Sequence, residues 1–244
     1  MFGAPRRTPM PQLEAIWDQA RQDLVVRTEH GEDDLSLWEH SARVARSAQA
    51  IAALPEVRDR SPNLAVLLAA ALYHDAGWIV RVEAGELSRL EILARQPSSS
   101  HRDLGASLLE RSLSSLLPED QLKLAAVTAR TLHDRHVDHV EGHVLADADH
   151  LEEFGVLALW PGIRRAALDG KGVQTAIDTW HRRQEYQFWT ARLNDSFRFD
   201  TVREIARRRL AAFERTMGDV ESQHAGRDLP DVAKPEQRRN PAAY

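Results

Sequence analysis

Apolar residues recur along this chain at three- and four-residue intervals from about residue 11 to about residue 217, and alternating strand-like patterns flanked by turn residues are nearly absent. That periodicity predicts an all-α protein. A first helix is expected from Pro11 to about Arg27, with Leu13, Ile16, Trp17, Leu24 and Val25 on one face and Pro11 in its opening turn. A second starts near Ser36, where Glu39 follows at capping-box spacing, and ends before Pro55. Ser61-Pro62 introduces a third, Leu64 to Tyr73, whose whole circumference is apolar, the mark of a helix buried on all sides. Further helices are read after Ser100, after Pro118 and over Val144 to Leu159, followed by two long ones, about Val173 to Leu193 and Phe199 to Met217. Gly170-Lys171-Gly172 lacks the flanking residues of a phosphate loop and reads as a turn. Trp17, Trp38, Trp160, Trp180 and Trp189 read as packing aromatics.

The boundaries follow from where the pattern fades. Residues 1–10 are expected to be an N-terminal tail, 11–217 one helical domain, and 218–244 a flexible C-terminal tail, because apolar residues thin out past Gly218 and Pro230, Pro235 and Pro241 appear. The two arginines near the start have no apolar stretch behind them, and the longest apolar run, Leu64 to Tyr73, falls well short of the roughly 20 residues that cross a bilayer. A cytoplasmic protein without a membrane segment is therefore expected.

Composition narrows the chemistry. Of 244 residues 43% are apolar and 28% charged, which suits a single sizeable core. With no cysteine, a metal would have to be held by imidazole and carboxylate, and disulfides and thiolate nucleophiles are excluded. Lys and Arg number 32 against 37 Asp and Glu, a net charge of −5 that lacks the basic surplus of a nucleic-acid binder. A small molecule is the expected partner.

Eleven histidines are many for this length, and several fall at helix ends. His74-Asp75 terminates the fully apolar helix, where a buried carboxylate is costly unless its charge is compensated. A divalent cation would compensate it; so would an ion pair with Arg81. His40, His74-Asp75, His101, His133 and Asp147 follow one another in order, each at the end or on the apolar side of an expected helix. His139 and His143 have helical spacing, but no HExxH string accompanies them.

Three strings, HSARVARSAQAIA at 40–52, LLAAALYHDAGW at 67–78 and VLADADHLEEFG at 144–155, carry a wider likeness. With the order H…HD…H…H…D, the chain resembles the HD-domain superfamily of metal-dependent phosphohydrolases over about residues 12–215. The resemblance implies a single helical bundle with a metal site in its core. It implies His40, His74, Asp75 and Asp147 as ligands of a first divalent ion (Mn, Fe, Co or Mg). His101 and His133 would complete a second ion's site or contact phosphate, with His136 as the alternative to His133 and Asp149 as a further catalytic candidate. One departure stands out: many members place Lys or Glu about three residues beyond the Asp, where this chain has Trp78. The phosphate-side charge then falls to Arg43, Arg81 or an arginine of the last helix, and Trp38 and Trp78 could wall a substrate pocket.

The implied activity is hydrolysis of a nucleotide or other small phosphate ester or anhydride by metal-activated water. Two alternatives share the ligand set. One is a diiron oxygenase, related to the myo-inositol oxygenases, that cleaves a C–C or C–P bond; the other is a non-catalytic regulatory metal-binding domain. The apolar faces of the opening helix and of Val202 to Phe213 could also pack a second copy as a homodimer.

Overall fold

The computed structural model of the chain describes residues 10–27, 32–95 and 97–229. Among these, twelve α-helices follow in chain order: α1 (Met10–Leu24), α2 (Ser36–Ala52), α3 (Pro55–Arg58), α4 (Leu64–Tyr73), α5 (Gly77–Glu83), α6 (Ser99–Ser112), α7 (Glu119–Arg130), α8 (Val140–His150), α9 (Leu159–Leu168), α10 (Val173–Glu185), α11 (Phe188–Asp195) and α12 (Asp200–His224). The all-α expectation holds, and the remaining strand structure is a two-residue antiparallel ribbon, β1 (Val26–Arg27) with β2 (Asp33–Asp34), which ends the first helix at Leu24 instead of Arg27.

Helix α4 is the axis of the assembly. Nine of its ten residues are buried, and α1, α2, α6, α7 and α8 all pack on it. Alanines at 65, 69, 70 and 71 on α4 and at 42, 45, 48 and 52 on α2 are all buried, and the two helices pack against each other. The helix begins at an Asn63 cap, not at Ser61-Pro62: the Asn63 side chain accepts the Ala65 and Val66 amides at 3.1 and 3.2 Å. Asn63's own amide donates to the buried Glu141 carboxylate at 2.7 Å, and Tyr73 donates its hydroxyl to Asp23 of α1 at 2.5 Å.

The turn that leaves α4, residues 74–76, is held by two glycines at backbone contact. A methyl group on Gly77 would lie 2.0 Å from the His101 carbonyl oxygen, and one on Gly105 would lie 2.8 Å from the Tyr73 carbonyl oxygen. Neither neighbour is a side chain that could swing away, so α5 and α6 approach as closely as their backbones allow. The seven-residue α5 was too short to show in the periodicity.

Beyond α8 the pattern was harder to read. The helix expected over Val144 to Leu159 is α8, starting at Val140, then two 3-10 turns, Leu151–Glu153 and Val156–Ala158, leading into α9. The long helix expected to Leu193 breaks at Gln187, whose φ of 52° is left-handed. Phe154, Trp180, Trp189, Phe197 and Phe213 form an aromatic cluster with ring centroids 4.9–5.8 Å apart, which covers the apolar face of α12 from within the chain. Val202, Ala206, Leu210, Phe213 and Met217 along that helix are buried within the chain. Trp160 departs from the packing role as well, since it is 61% exposed. Helix α12 continues through Gly218 to His224, so the expected boundary at 218 falls inside a helix. Most of the C-terminal tail (230–244) and of the N-terminal tail (1–9) lies outside the described residues. Among the described residues no single helix is long and apolar enough to cross a membrane.

Arg164 of α9 ties this outer layer to the core. It donates to Asp34 at 3.0 Å, to the Leu90 and Arg89 carbonyls at 2.9 and 2.5 Å, and to the Ser36 hydroxyl. Asp34 in turn accepts the Ser36 amide at 2.9 Å, so one guanidinium fixes the start of α2, one turn before His40. Breaking this mostly buried pair by Arg164→Ala should lower the free energy of unfolding by about 2–4 kcal/mol. Burial pushes the Asp34 carboxyl up, but hydrogen bonds from Ser36 and Arg164 bring it below its ordinary value of 3.8. A carboxyl with a depressed folded-state pKa stabilises above the unfolded value and loses that contribution as it protonates. The gap between wild type and Arg164→Ala in urea titrations should therefore narrow as the pH falls below 3.8.

Candidate metal centre

Three helix ends deliver the site. His40 lies one turn into α2, His74 and Asp75 lie in the turn after α4, and Asp149 is the penultimate residue of α8. His40 Nε2 is 3.3 Å from His74 Nε2 and 3.5 Å from Asp75 Oδ2, and His74 Nε2 is 3.6 Å from Asp75 Oδ2. One ligating atom from each of the three lies within 4.8 Å of the others, and this is the one such group found among the described residues. Asp149 joins from the side, with Oδ1 3.5 Å from His74 Nε2 and Oδ2 3.8 Å from His133 Nε2.

The tautomers suit a cation. His74 Nδ1–H donates to the Ala71 carbonyl at 2.8 Å, leaving the Nε2 lone pair turned toward the cluster. His40 has the same polarity, its Nδ1 facing Glu152 Oε2 at 3.6 Å. The electrostatics call for positive charge. Burial opposes a charge on His40, yet Asp75 and Glu152 override it and lift the pKa to about 10. Burial would likewise raise Asp75 and Asp149, but the facing imidazoles hold both carboxyls below the usual range. Two imidazole nitrogens and carboxylate oxygens converging in a dry, anionic place are a donor set for Mn, Fe, Co, Zn or Mg. The residues present fit a divalent ion.

Asp147 is not among them. Successive residues of an α-helix turn by 100°, so Asp147 and Asp149 face nearly opposite sides of α8 and only one can meet His74. The Asp147 carboxylate instead accepts the Arg198 and Phe199 amides at 3.0–3.1 Å, just before α12 begins. It is fully buried, and burial outweighs those donors, raising its pKa to about 6. Asp149, and not the expected Asp147, is the aspartate of α8 that lies beside His74.

His101 also stands apart. Its Nδ1 meets Ser98 Oγ at 3.0 Å, and its Nε2 faces Arg81 Nη1 at 3.4 Å. Burial and the Arg81 guanidinium both lower its pKa, and a cation beside Nε2 argues against a second metal there. Trp78, itself buried with its ring 4.4 Å from that of His101, closes this side and does not wall an open pocket. His133 does reach the cluster through Asp149, and its ring stacks at 5.7 Å on His150, which burial keeps neutral with a pKa near 4. His136 is exposed, and its backbone amide donates to Asp134 Oδ1 at 2.8 Å. His139 and His143 bond Thr128 and the Val137 carbonyl. Arg43 points to Glu152, at 2.8 Å, instead of to an open cavity. Glu152 went unnoticed in the sequence, where it reads as one of two adjacent surface glutamates; its signal was the helical spacing of three from Asp149.

Residues 37–153 match the family model described as HD domain. That segment is an HD domain. Its HD pair is His74-Asp75. Among solved structures it is similar to YpgQ of Bacillus subtilis, at 21% identity and a TM-score of 0.57, covering 90% of this chain and 98% of that one. It is likewise similar to YpgQ in complex with ADP, at 21% identity and a TM-score of 0.55, covering 88% and 100%. A predicted HD superfamily hydrolase from an uncultured Thermotogales bacterium aligns at 18% identity and a TM-score of 0.50, covering 88% and 92%. No curated protein matches the chain.

The two aspartates of α8 separate experimentally. Asp149→Ala should weaken Mn binding roughly tenfold or more, as loss of a group touching the ligand set does. Asp147→Ala should leave that affinity within a few-fold but lower unfolding stability by about 2–3 kcal/mol, because two buried amides lose their acceptor. Chelator competition and urea titration on both variants check this.

Proposed function

We propose that this protein is a metal-dependent phosphohydrolase that acts on a nucleotide or another small phosphate ester or anhydride with one divalent ion. The observation that carries the reading is the convergence of His40 Nε2, His74 Nε2 and Asp75 Oδ2 within 4.8 Å of one another at the buried end of the site. A divalent ion held there supplies Lewis acidity to a phosphoryl oxygen and lowers the pKa of water. The protein's own residues do the rest. His40, His74, Asp75 and Asp149 hold the ion. Side-chain exposure rises from 1% at His74 through 19% at Asp149 to 42% at His133, so substrate enters past His133. There the imidazole, 3.8 Å from Asp149, is placed to orient the phosphate and to pass a proton to the leaving oxygen. Arg81 beside His101 disfavours the two-ion arrangement that an oxygenase would need. Support for a phosphate substrate comes from the superfamily and from the ADP complex of YpgQ.

Turnover with Mn or Co on a panel of nucleotides and phosphate esters tests the proposal, alongside metal analysis of the purified protein. Asp75→Ala should reduce turnover by about 100-fold or more, because it removes a carboxylate that holds the ion on which the activated water depends. Equal turnover by both proteins overturns the reading, and so does two equivalents of iron with oxygen consumption.

A further inference from the structure

Glu152 supplies no atom to the ligating group, yet it contacts that group through His40. Its Oε2 lies 3.6 Å from His40 Nδ1 and 2.8 Å from Arg43 Nε. His40 and Arg43 sit three residues apart on the same face of α2, and Glu152 projects from the 3-10 turn after α8, 109 residues from Arg43 in sequence. The Glu152 side chain is 12% exposed, as is that of His40, so the carboxylate is largely withdrawn from water.

The two metal-facing histidines solve one problem in two ways. An imidazole presents a lone pair at Nε2 only while Nδ1 keeps its proton, and that proton needs an acceptor. For His74 the acceptor is the backbone carbonyl of Ala71. For His40 the acceptor facing Nδ1 is the Glu152 side chain. A lone carboxylate here would add a negative charge to a place already holding Asp75 and Asp149. The Arg43 guanidinium cancels that charge, so the pair orients the ring without making the site more anionic.

We propose that Glu152 is a positioning residue for the metal centre, holding His40 with its Nε2 toward Asp75 and His74, and that Arg43 clamps Glu152 in that place. This rests on the reading of the cluster as a cation site. It also gives Arg43 a role away from the substrate phosphate. The competing explanation is a plain tie between α2 and the turn after α8, and the two differ in what a substitution changes.

The test measures Mn and Co affinity of the full chain by chelator competition, the visible absorption of the bound Co, and the melting temperature in excess chelator. Glu152→Gln should weaken both affinities by about 10–100-fold and alter the Co spectrum, as removing a partner of a ligating histidine does. In excess chelator its melting temperature should stay within about 2 °C of wild type. Arg43→Lys, which keeps a cation toward Glu152, should retain most of the affinity that Arg43→Met loses. Unchanged affinity in Glu152→Gln overturns the proposal, and so does a lower melting temperature in chelator with affinity intact. If Glu152→Gln does not fold, equal affinities for Arg43→Lys and Arg43→Met overturn it. Wild type that binds neither ion removes the cation site itself, whereas tight wild-type binding unaffected by Glu152→Gln removes only the role of Glu152.

Discussion

Everything in this protein is arranged around one costly act, the placement of a histidine and an aspartate at the end of a helix with no polar face. Helix α4 is buried along nearly its whole length, so the turn that follows it opens in the interior and not in solvent. A carboxylate delivered there must find positive charge, because leaving it unpaired in a poorly solvated place costs more than most domains have to spare. His40 and His74 meet that demand as protonated rings or, with a divalent ion present, as neutral ligands, and Asp75 and Glu152 accordingly raise the pKa of His40 against the opposing effect of burial. The need for positive charge at this turn is thus a consequence of how the core is built.

The same core sets the precision of the site. Helix α2 packs along α4 and brings His40 to the turn after it. The backbone contacts at Gly77 and Gly105 leave that turn no room to shift. On the opposite side, α8 splits its two aspartates by helical phase. Asp149 faces the imidazoles, while Asp147 receives the incoming chain at Arg198 and Phe199 and so fixes where α12 begins. One helix therefore serves chemistry on one face and the closure of the fold on the other, within three residues.

Much of this could be read from the chain before the structure was seen, and the boundary of what could be read is physical. The apolar run of α4, the order of His40 and His74-Asp75, and the all-α class are local patterns, and they hold. The choice between Asp147 and Asp149 is not local: helical phase says that they diverge, but only the contact with residues 198 and 199, some 51 positions away, says which one is taken up structurally. Glu152 was missed for the same reason, since its partner Arg43 is 109 positions distant and a Glu-Glu pair at a helix end looks like solvent-facing surface. Trp160 erred the other way, as a large apolar residue at helical spacing that the fold leaves exposed.

The distribution of charge around the cluster supports the one-ion reading proposed above. Two cations a few ångströms apart need anions between and around them, and a histidine offered to the second must have a free lone pair. On the His133 side the site reaches solvent, with Asp149 beside the half-exposed imidazole. On the His101 side Trp78 packs against the imidazole, and His101 Nε2 faces Arg81. A guanidinium there repels a second metal but attracts the oxygens of a phosphate, so the substitution of Trp78 for a basic or acidic residue need not leave the site without a cation. The sequence departure and the Arg81–His101 contact fit together: bulk moves into the position nearest the HD pair, and positive charge sits one helical turn further along α5.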